Sequence, residues 1–253
     1  MAPRVATTRT EPGGGRAGFR RVVAAGLIAA AGAALVGMAV PRLMAGAALV
    51  PGDPILRRIL ERKAVSDAEL DRLAESRRAA LAWHGHGRTG TDLGLALLEA
   101  AGRKRILHAD RDVDPARRVL ADALARAPAN PHGWLRLAAL EHLANGPGPM
   151  VARHLEISIV TGPAERELLF PRLHLALRLL AADGPEPASA ALHDLVAGQL
   201  DWAWRADRRR TVLIALAAGA EDLLRRRLAA TPDDAAAFER ILAAARAAAR
   251  QES

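Results

Sequence analysis

Apolar positions in this chain recur at helical rather than strand spacing. The longest uninterrupted run is Val22 to Val40, nineteen residues of Val, Ala, Gly, Leu, Ile and Met without a charge. At about 1.5 Å per residue such a run crosses a bilayer core of about 30 Å. Residues 1–21 before it are polar, with Gly13-Gly14-Gly15, and read as a disordered tail. Residues 41–65 read as a linker: Pro41 closes the apolar run, Leu43 to Val50 is a second short apolar piece, and Ile55, Leu56, Ile59 and Leu60 mark one short amphipathic helix. From 66 to 250 the pattern is a succession of helices. Ser66 with Glu69 three residues on forms a capping box, opening a helix with Leu70, Leu73 and Leu81 that ends near Trp83. Further helices are predicted from Thr91 or Asp92, over 115–127, 131–145, 149–160, 164–182, 188–204, 207–218 and 220–229, and from Pro232 onward, where Asp233 and Asp234 sit at the positive end. The last helix carries Phe238, Ile241, Leu242 and Ala245 on one face, as a capping helix would. No sustained alternation of β-branched and aromatic residues predicts a sheet.

One stretch has finer structure. Ala116, Leu120 and Ala123 place small, large and small side chains on one helix, and Pro128 follows five positions on. Small residues let a neighbouring helix come close, and the large one fills the space between. Trp134 falls six positions past that proline, with Leu137 and Ala138 after it; Leu155 and Pro163 continue the phase with one extra residue in Asn145-Gly146-Pro147-Gly148-Pro149. This spacing resembles the tetratricopeptide repeat, a helix pair of about 34 residues. The resemblance covers about one and a half such units. The second unit departs from it, with Glu141 at the tyrosine position and Val151 at a small position. Ala220, Leu224 and Pro232 repeat the spacing weakly, with Arg227 at the second small position. The resemblance implies an all-α fold, a right-handed solenoid of helical hairpins, preceded here by one N-terminal transmembrane helix. The alternative from the residues alone is an ordinary Ala-rich helical bundle.

Charge adds orientation. The chain carries a formal +8, and Arg16, Arg20 and Arg21 flank the entry side of the apolar run. The positive-inside rule then puts the N-terminus in the cytoplasm and the bulk of the chain across the inner membrane of a bacterium. Arg57, Arg58, Arg62 and Lys63 on the far side weaken that asymmetry. A cleaved signal peptide, cut near Ala45-Gly46-Ala47, is the competing reading, and it also exports the domain. The excess of arginine raises nucleic acid as a partner, but the arginines are scattered among Asp and Glu along helices, so no nucleic-acid partner is expected. There is no cysteine, which excludes disulfides, thiolate metal sites and cysteine nucleophiles.

Candidate chemistry is thin. His84 and His86 have no evident third ligand for a metal. Asp110, Asp112 and Asp114 start like a calcium loop, but Pro115 stands where Gly is needed and Ala121 where Glu is needed. Asp114 reads better as the cap of the following helix. His142 and His154 are placed to face each other across a helix hairpin. No catalytic triad, phosphate loop or metalloprotease helix is present. No catalytic, cofactor or metal residue is therefore assigned. Trp83 and Trp134 read as packing anchors. Trp202 and Trp204, two apart, do not share a helical face, so they mark a candidate partner surface, with core packing for one of them. The expected function is a membrane-anchored scaffold or adaptor that binds other envelope proteins. The stretch from Leu155 through Pro163 to Leu173 resembles bacterial envelope proteins that accompany surface-polysaccharide assembly. An envelope enzyme or glycan-binding domain built on His84, His86 and the acidic linker is the alternative. The expected partners are membrane lipid through residues 22–40 and a protein of the envelope.

Overall fold

The computed structural model describes residues 14–104, 113–182 and 190–251. Most of the predicted tail, the acidic residues Asp110 and Asp112, and the break before residue 188 lie outside the described residues. Among the described residues every regular element is a helix: α1 (Gly14–Leu49), α2 (Asp53–Leu60), α3 (Asp67–Trp83), α4 (Gly87–Lys104), α5 (Asp114–Arg126), α6 (Pro131–Asn145), α7 (Pro149–Thr161), α8 (Arg166–Ala181), α9 (Ala190–Ala206), α10 (Arg208–Ala218), α11 (Glu221–Leu228) and α12 (Pro232–Gln251).

Local chemistry sets the boundaries. At α3 the Ser66 hydroxyl accepts from the Glu69 N–H at 3.3 Å, and the Ser66 N–H donates to Glu69 Oε2 at 2.7 Å, the reciprocal pair the sequence predicts. Asn130 caps α6, its side-chain oxygen accepting from the N–H groups of His132 and Gly133 at 3.1 and 3.3 Å. Pro131 sits in the first turn, where its missing N–H costs nothing. Asp207 caps α10, which ends at Gly219 in the left-handed conformation. Asp114 does not cap α5. It falls inside the helix and pairs with Arg117 at 2.6 Å. An acid in the first turn still complements the helix dipole, so the position is favourable without the cap.

The helices pack with their sequence neighbours and with their next-but-one neighbours. In the second kind, α4 meets α6, α6 meets α8, α8 meets α10 and α10 meets α12, so the even-numbered helices stand side by side. The core is divided accordingly. Ala116, Leu120, Leu124, Leu137 and Leu140 form one cluster between α5 and α6; Leu135, Ala138, Val151, Leu155 and Ile159 belong to the next; Leu173, Leu200, Trp204, Val212, Leu224 and Phe238 belong to the last.

Two boundaries differ from the sequence reading. The helix that carries the apolar run does not end with it at Pro41; α1 continues to Leu49. A proline inside a helix loses its own N–H bond and crowds the carbonyl four residues back, but the turns beyond it are held from outside: the Ser76 hydroxyl donates to the Ala48 carbonyl at 2.8 Å, and Arg77 Nη1 to the Leu49 carbonyl at 3.0 Å. These bonds satisfy carbonyls the helix end would otherwise leave open. The second difference is Trp83, which is 50% exposed at the end of α3 and anchors no core cluster. Among the described residues one helical stretch, Val22–Leu49 of α1, is long and apolar enough to cross a membrane, and none of its most apolar window is buried by them.

Candidate functional site

The side-by-side even-numbered helices leave two clefts, both lined by α6 and α8 and together called the groove. One, of about 700 Å³, is lined by Thr91 and Asp92 of α4, His132 and Arg136 of α6, and Arg166 and Glu167 of α8. The other, of about 360 Å³, is lined by Leu135, Ala139 and His142 of α6, Phe170 and His174 of α8, and Ile214 of α10. No odd-numbered helix contributes to either. Leu56 and Leu60 of α2 line the first cleft, and Arg62, just past α2, lines the second. The amphipathic segment before the helical domain therefore reaches along the groove.

The groove changes character along its length. Its α4–α6 end is polar: Arg136 Nη1 lies 3.3 Å from Asp92 Oδ1 in a half-buried pair, and burial pushes the Arg136 guanidinium below its usual range while Asp92 opposes the shift. Burial also lowers His132, reinforced by Arg136. The α8–α10 end is apolar and aromatic. The Arg210 guanidinium lies over the Phe170 ring, 3.9 Å from its centre, which ties α10 to α8. His174 is lowered by burial first and by the positive charge of Arg178 and Arg62 second, so it stays neutral at neutral pH.

Arg62 carries a backbone strain. Its φ is +59°, the left-handed region that a non-glycine residue enters at a cost of about 1–2 kcal/mol. The geometry ends α2 as a C-terminal glycine would, with the Lys63 N–H donating to the Arg58 carbonyl at 2.8 Å. Glycine would satisfy the backbone better. What arginine adds is a long cationic side chain at the mouth of the aromatic end of the groove.

The small–large–small residues are placed where packing needs them. Ala116, Leu120, Ala123, Leu137, Ala138 and Leu155 are all buried. Pro128 and Pro163 lie exposed in turns. Trp134 is half-buried, donates through Nε1 to the Pro128 carbonyl at 2.7 Å, and stacks on His154 with ring centres 5.7 Å apart. His154 therefore faces Trp134, and His142 lines the cleft against α8. Glu141 at the tyrosine position accepts from Arg117 Nε at 2.9 Å, so an ion pair joins α5 to α6 there. The tryptophan pair separates: Trp204 is 4% exposed and belongs to the core, so it is not a partner surface, whereas half-buried Trp202 lines a surface cleft of about 490 Å³ with Phe170 and Arg205. His84 and His86 are 6.5 Å apart between ring centres in a cleft with Asp53 and Asp92, but those carboxylates are bonded to Arg77 and Arg136. Among the described residues no three His, Asp or Glu side chains gather as a metal would require.

Three structural residues were not read from the sequence. Arg172 is fully buried. It donates from Nε to the Ser158 hydroxyl at 3.0 Å, from Nη1 to the Gly162 carbonyl at 2.8 Å, and from Nη2 to the Ser158 carbonyl. Ser158 in turn donates to the Pro131 carbonyl at 2.8 Å, so one guanidinium binds α8 to the α7–α8 turn and, through Ser158, to the start of α6. Burial lowers Arg172 to about 10, which still leaves it charged at neutral pH. An Arg among the leucines at the middle of α8, between Arg166 and Arg178 nearer its ends, was the available cue. Gly90 and Gly94 lie one turn apart on the face of α4 against α5, where a Cβ would stand 2.8 Å from the Ala123 Cβ and 2.3 Å from Leu120 Cδ2. Their spacing of four was visible in the sequence and marks a close helix crossing. Compared with known proteins, the chain matches no family model, no curated protein and no solved structure.

Proposed function

We propose that this chain is a membrane-anchored, tetratricopeptide-like adaptor that holds a segment of a partner protein in the groove between its even-numbered helices. The observation that carries this reading is the composition of the groove: its lining comes from α4, α6, α8 and α10 together with the α2 segment. A solenoid of helical hairpins presents such a continuous inner face and uses it for extended or helical peptides. The groove offers an apolar, aromatic end for an anchoring side chain and a charged end for orientation. The strained Arg62 at its mouth agrees with a functional role, because strain of this kind persists where a side chain is needed in place. On this reading α1 spans the inner membrane, the N-terminus is cytoplasmic and the helical domain faces the envelope. The resemblance around Leu155 to Leu173 ranks surface-polysaccharide assembly first among processes.

The test is capture of a stoichiometric partner from detergent-solubilised membranes by the full chain, compared with a groove variant. Phe170→Glu places a charge at the aromatic end and removes the ring beneath Arg210; it is expected to abolish capture, and its helical content and amount in the membrane, measured alongside, separate loss of the site from loss of the fold. A partner retained equally by wild type and Phe170→Glu refutes the groove as its site. A reporter fused at the C-terminus tests the topology and should be active only outside the cytoplasm.

A further inference from the structure

The first and third helices, α1 and α3, run in opposite directions. Arg77 of α3 is bonded to Leu49 of α1, and His84 lines the same cleft as Arg42. Residues 77 to 84 on one helix and 49 to 42 on the other each span about 10 Å at 1.5 Å per residue. The end of α3 is thus returned to the level where the uncharged run of α1 stops, at Pro41 and Arg42. Trp83 stands there, half exposed. The next turn of the domain lies beside it: a Cβ on Gly87 would stand 2.6 Å from the Ala127 Cβ, and one on Gly85 would stand 3.8 Å from Arg126 Nε. A cleft of about 600 Å³ runs from this level, where Arg42 and Arg88 line it, to Leu49 and Arg77 at the far end. Arg42 donates to the Met38 carbonyl at 2.8 Å and Arg126 to the Asp122 carbonyl at 3.4 Å, each on its own helix, and among the described residues no salt bridge joins Arg42, Arg88 or Arg126 to a carboxylate; the two carboxylates of the cleft are engaged by Arg77 and Arg136.

Resting on the reading of α1 as a membrane span, we propose that this edge of the domain lies on the surface of the same bilayer, with Trp83 seated at the interface and Arg42, Arg88 and Arg126 on lipid phosphates. An indole with an apolar body and one N–H suits the boundary between acyl chains and headgroups. Guanidinium groups without carboxylate partners suit phosphate oxygens, which they bind in pairs. Such seating fixes the orientation of the groove relative to the membrane, which a single helix passing through Pro41 does not. The ligand is the anionic headgroup layer, not free phosphate, because the cationic groups are set around the point where the chain enters the lipid.

The chain has no cysteine, so single-cysteine labelling is clean. Full-length Trp83→Cys, Leu27→Cys and Met150→Cys are labelled with a nitroxide and placed in nanodiscs of phosphatidylcholine with phosphatidylglycerol. All three positions are at least half exposed, so the substitutions are tolerated. Collision with a water-soluble nickel chelate is then measured. The label at 83 is expected to collide several-fold less than the label at 150, and more than the label at 27. Adding R88E and R126E, or omitting phosphatidylglycerol, is expected to raise collision at 83 and leave 27 unchanged. If 83 is as accessible as 150 while 27 is sheltered, the edge does not touch lipid and the inference fails with the anchor intact. If 27 is open to the chelate, the anchor itself fails and the inference with it. Shelter at 83 that ignores both charge reversal and lipid charge overturns the phosphate contacts.

Discussion

Replacing Gly90 by alanine tests whether α4 and α5 meet as closely as the spacing of Ala116, Leu120 and Ala123 requires. Gly90 is buried in α4, and a Cβ there would lie 2.8 Å from the Ala123 Cβ and 3.5 Å from its Cα. Carbon atoms rest at about 3.5–4.0 Å, so the helices must part by several tenths of an ångström. Alanine has no rotamer to turn away, so the backbone of α5 has to move, and Leu120 and Leu124 move with it. Overpacking of this kind costs about 1–3 kcal/mol, against a gain of up to about 1 kcal/mol in helix propensity. Gly198→Ala isolates the second term, since that glycine is within a helix and nothing lies within 4 Å of its Cβ direction. The difference between the two variants is then the crossing term, about 1–3 kcal/mol. Urea titration of the full chain in detergent, followed by circular dichroism, measures it. Gly198→Ala should unfold later than wild type and Gly90→Ala earlier than Gly198→Ala by the stated margin. Equal stabilities would show that α4 and α5 are not in close contact.

Other expectations concern the buried polar groups. Arg172→Leu removes a guanidinium that serves Ser158 and the Gly162 carbonyl, and should cost on the order of 3 kcal/mol, read as a lowered melting temperature. Trp134→Phe keeps the ring but loses the bond to the Pro128 carbonyl, for a cost of about 1 kcal/mol in the same assay. Arg62→Gly relieves the left-handed residue and should stabilise the fold by about 1 kcal/mol while weakening partner capture; unchanged capture would deny Arg62 a role in the groove. Acidification should destabilise the domain. Burial lowers His132, His154 and His174 below the ordinary 6.5, so between that value and their folded values the unfolded chain binds more protons. Stability therefore falls as pH drops through 6.5 and levels off below the folded values, and His154→Gln should flatten part of that slope.

Periodicity read the helices well because an amphipathic helix needs only its own face to be recognised. The capping box at Ser66 is local chemistry, and Ser66 and Glu69 make the predicted bonds. Features that depend on a second element were not legible. The continuation of α1 past Pro41 depends on Ser76 and Arg77, far along the chain. The exposure of Trp83 depends on where α3 stops relative to α4. The separation of Trp202 from Trp204 was visible as a two-residue offset, but the side that faced the core was set by Val212, Leu224 and Phe238 in later helices. The groove itself was invisible. Its residues, such as Arg136, Phe170 and Ile214, carry no shared pattern and meet only because alternate helices stack.

The groove is tested most directly by a photo-crosslinking amino acid placed at His174, inside it, and at Val160, on α7 outside it, in the full chain expressed in its native membrane. Val160 is 62% exposed, so its label meets solvent and any outer-face partner. The account predicts one discrete protein adduct from position 174, lost on Phe170→Glu, and none of that size from 160. The same adduct from 160, or none from 174 with the partner still captured, would contradict it.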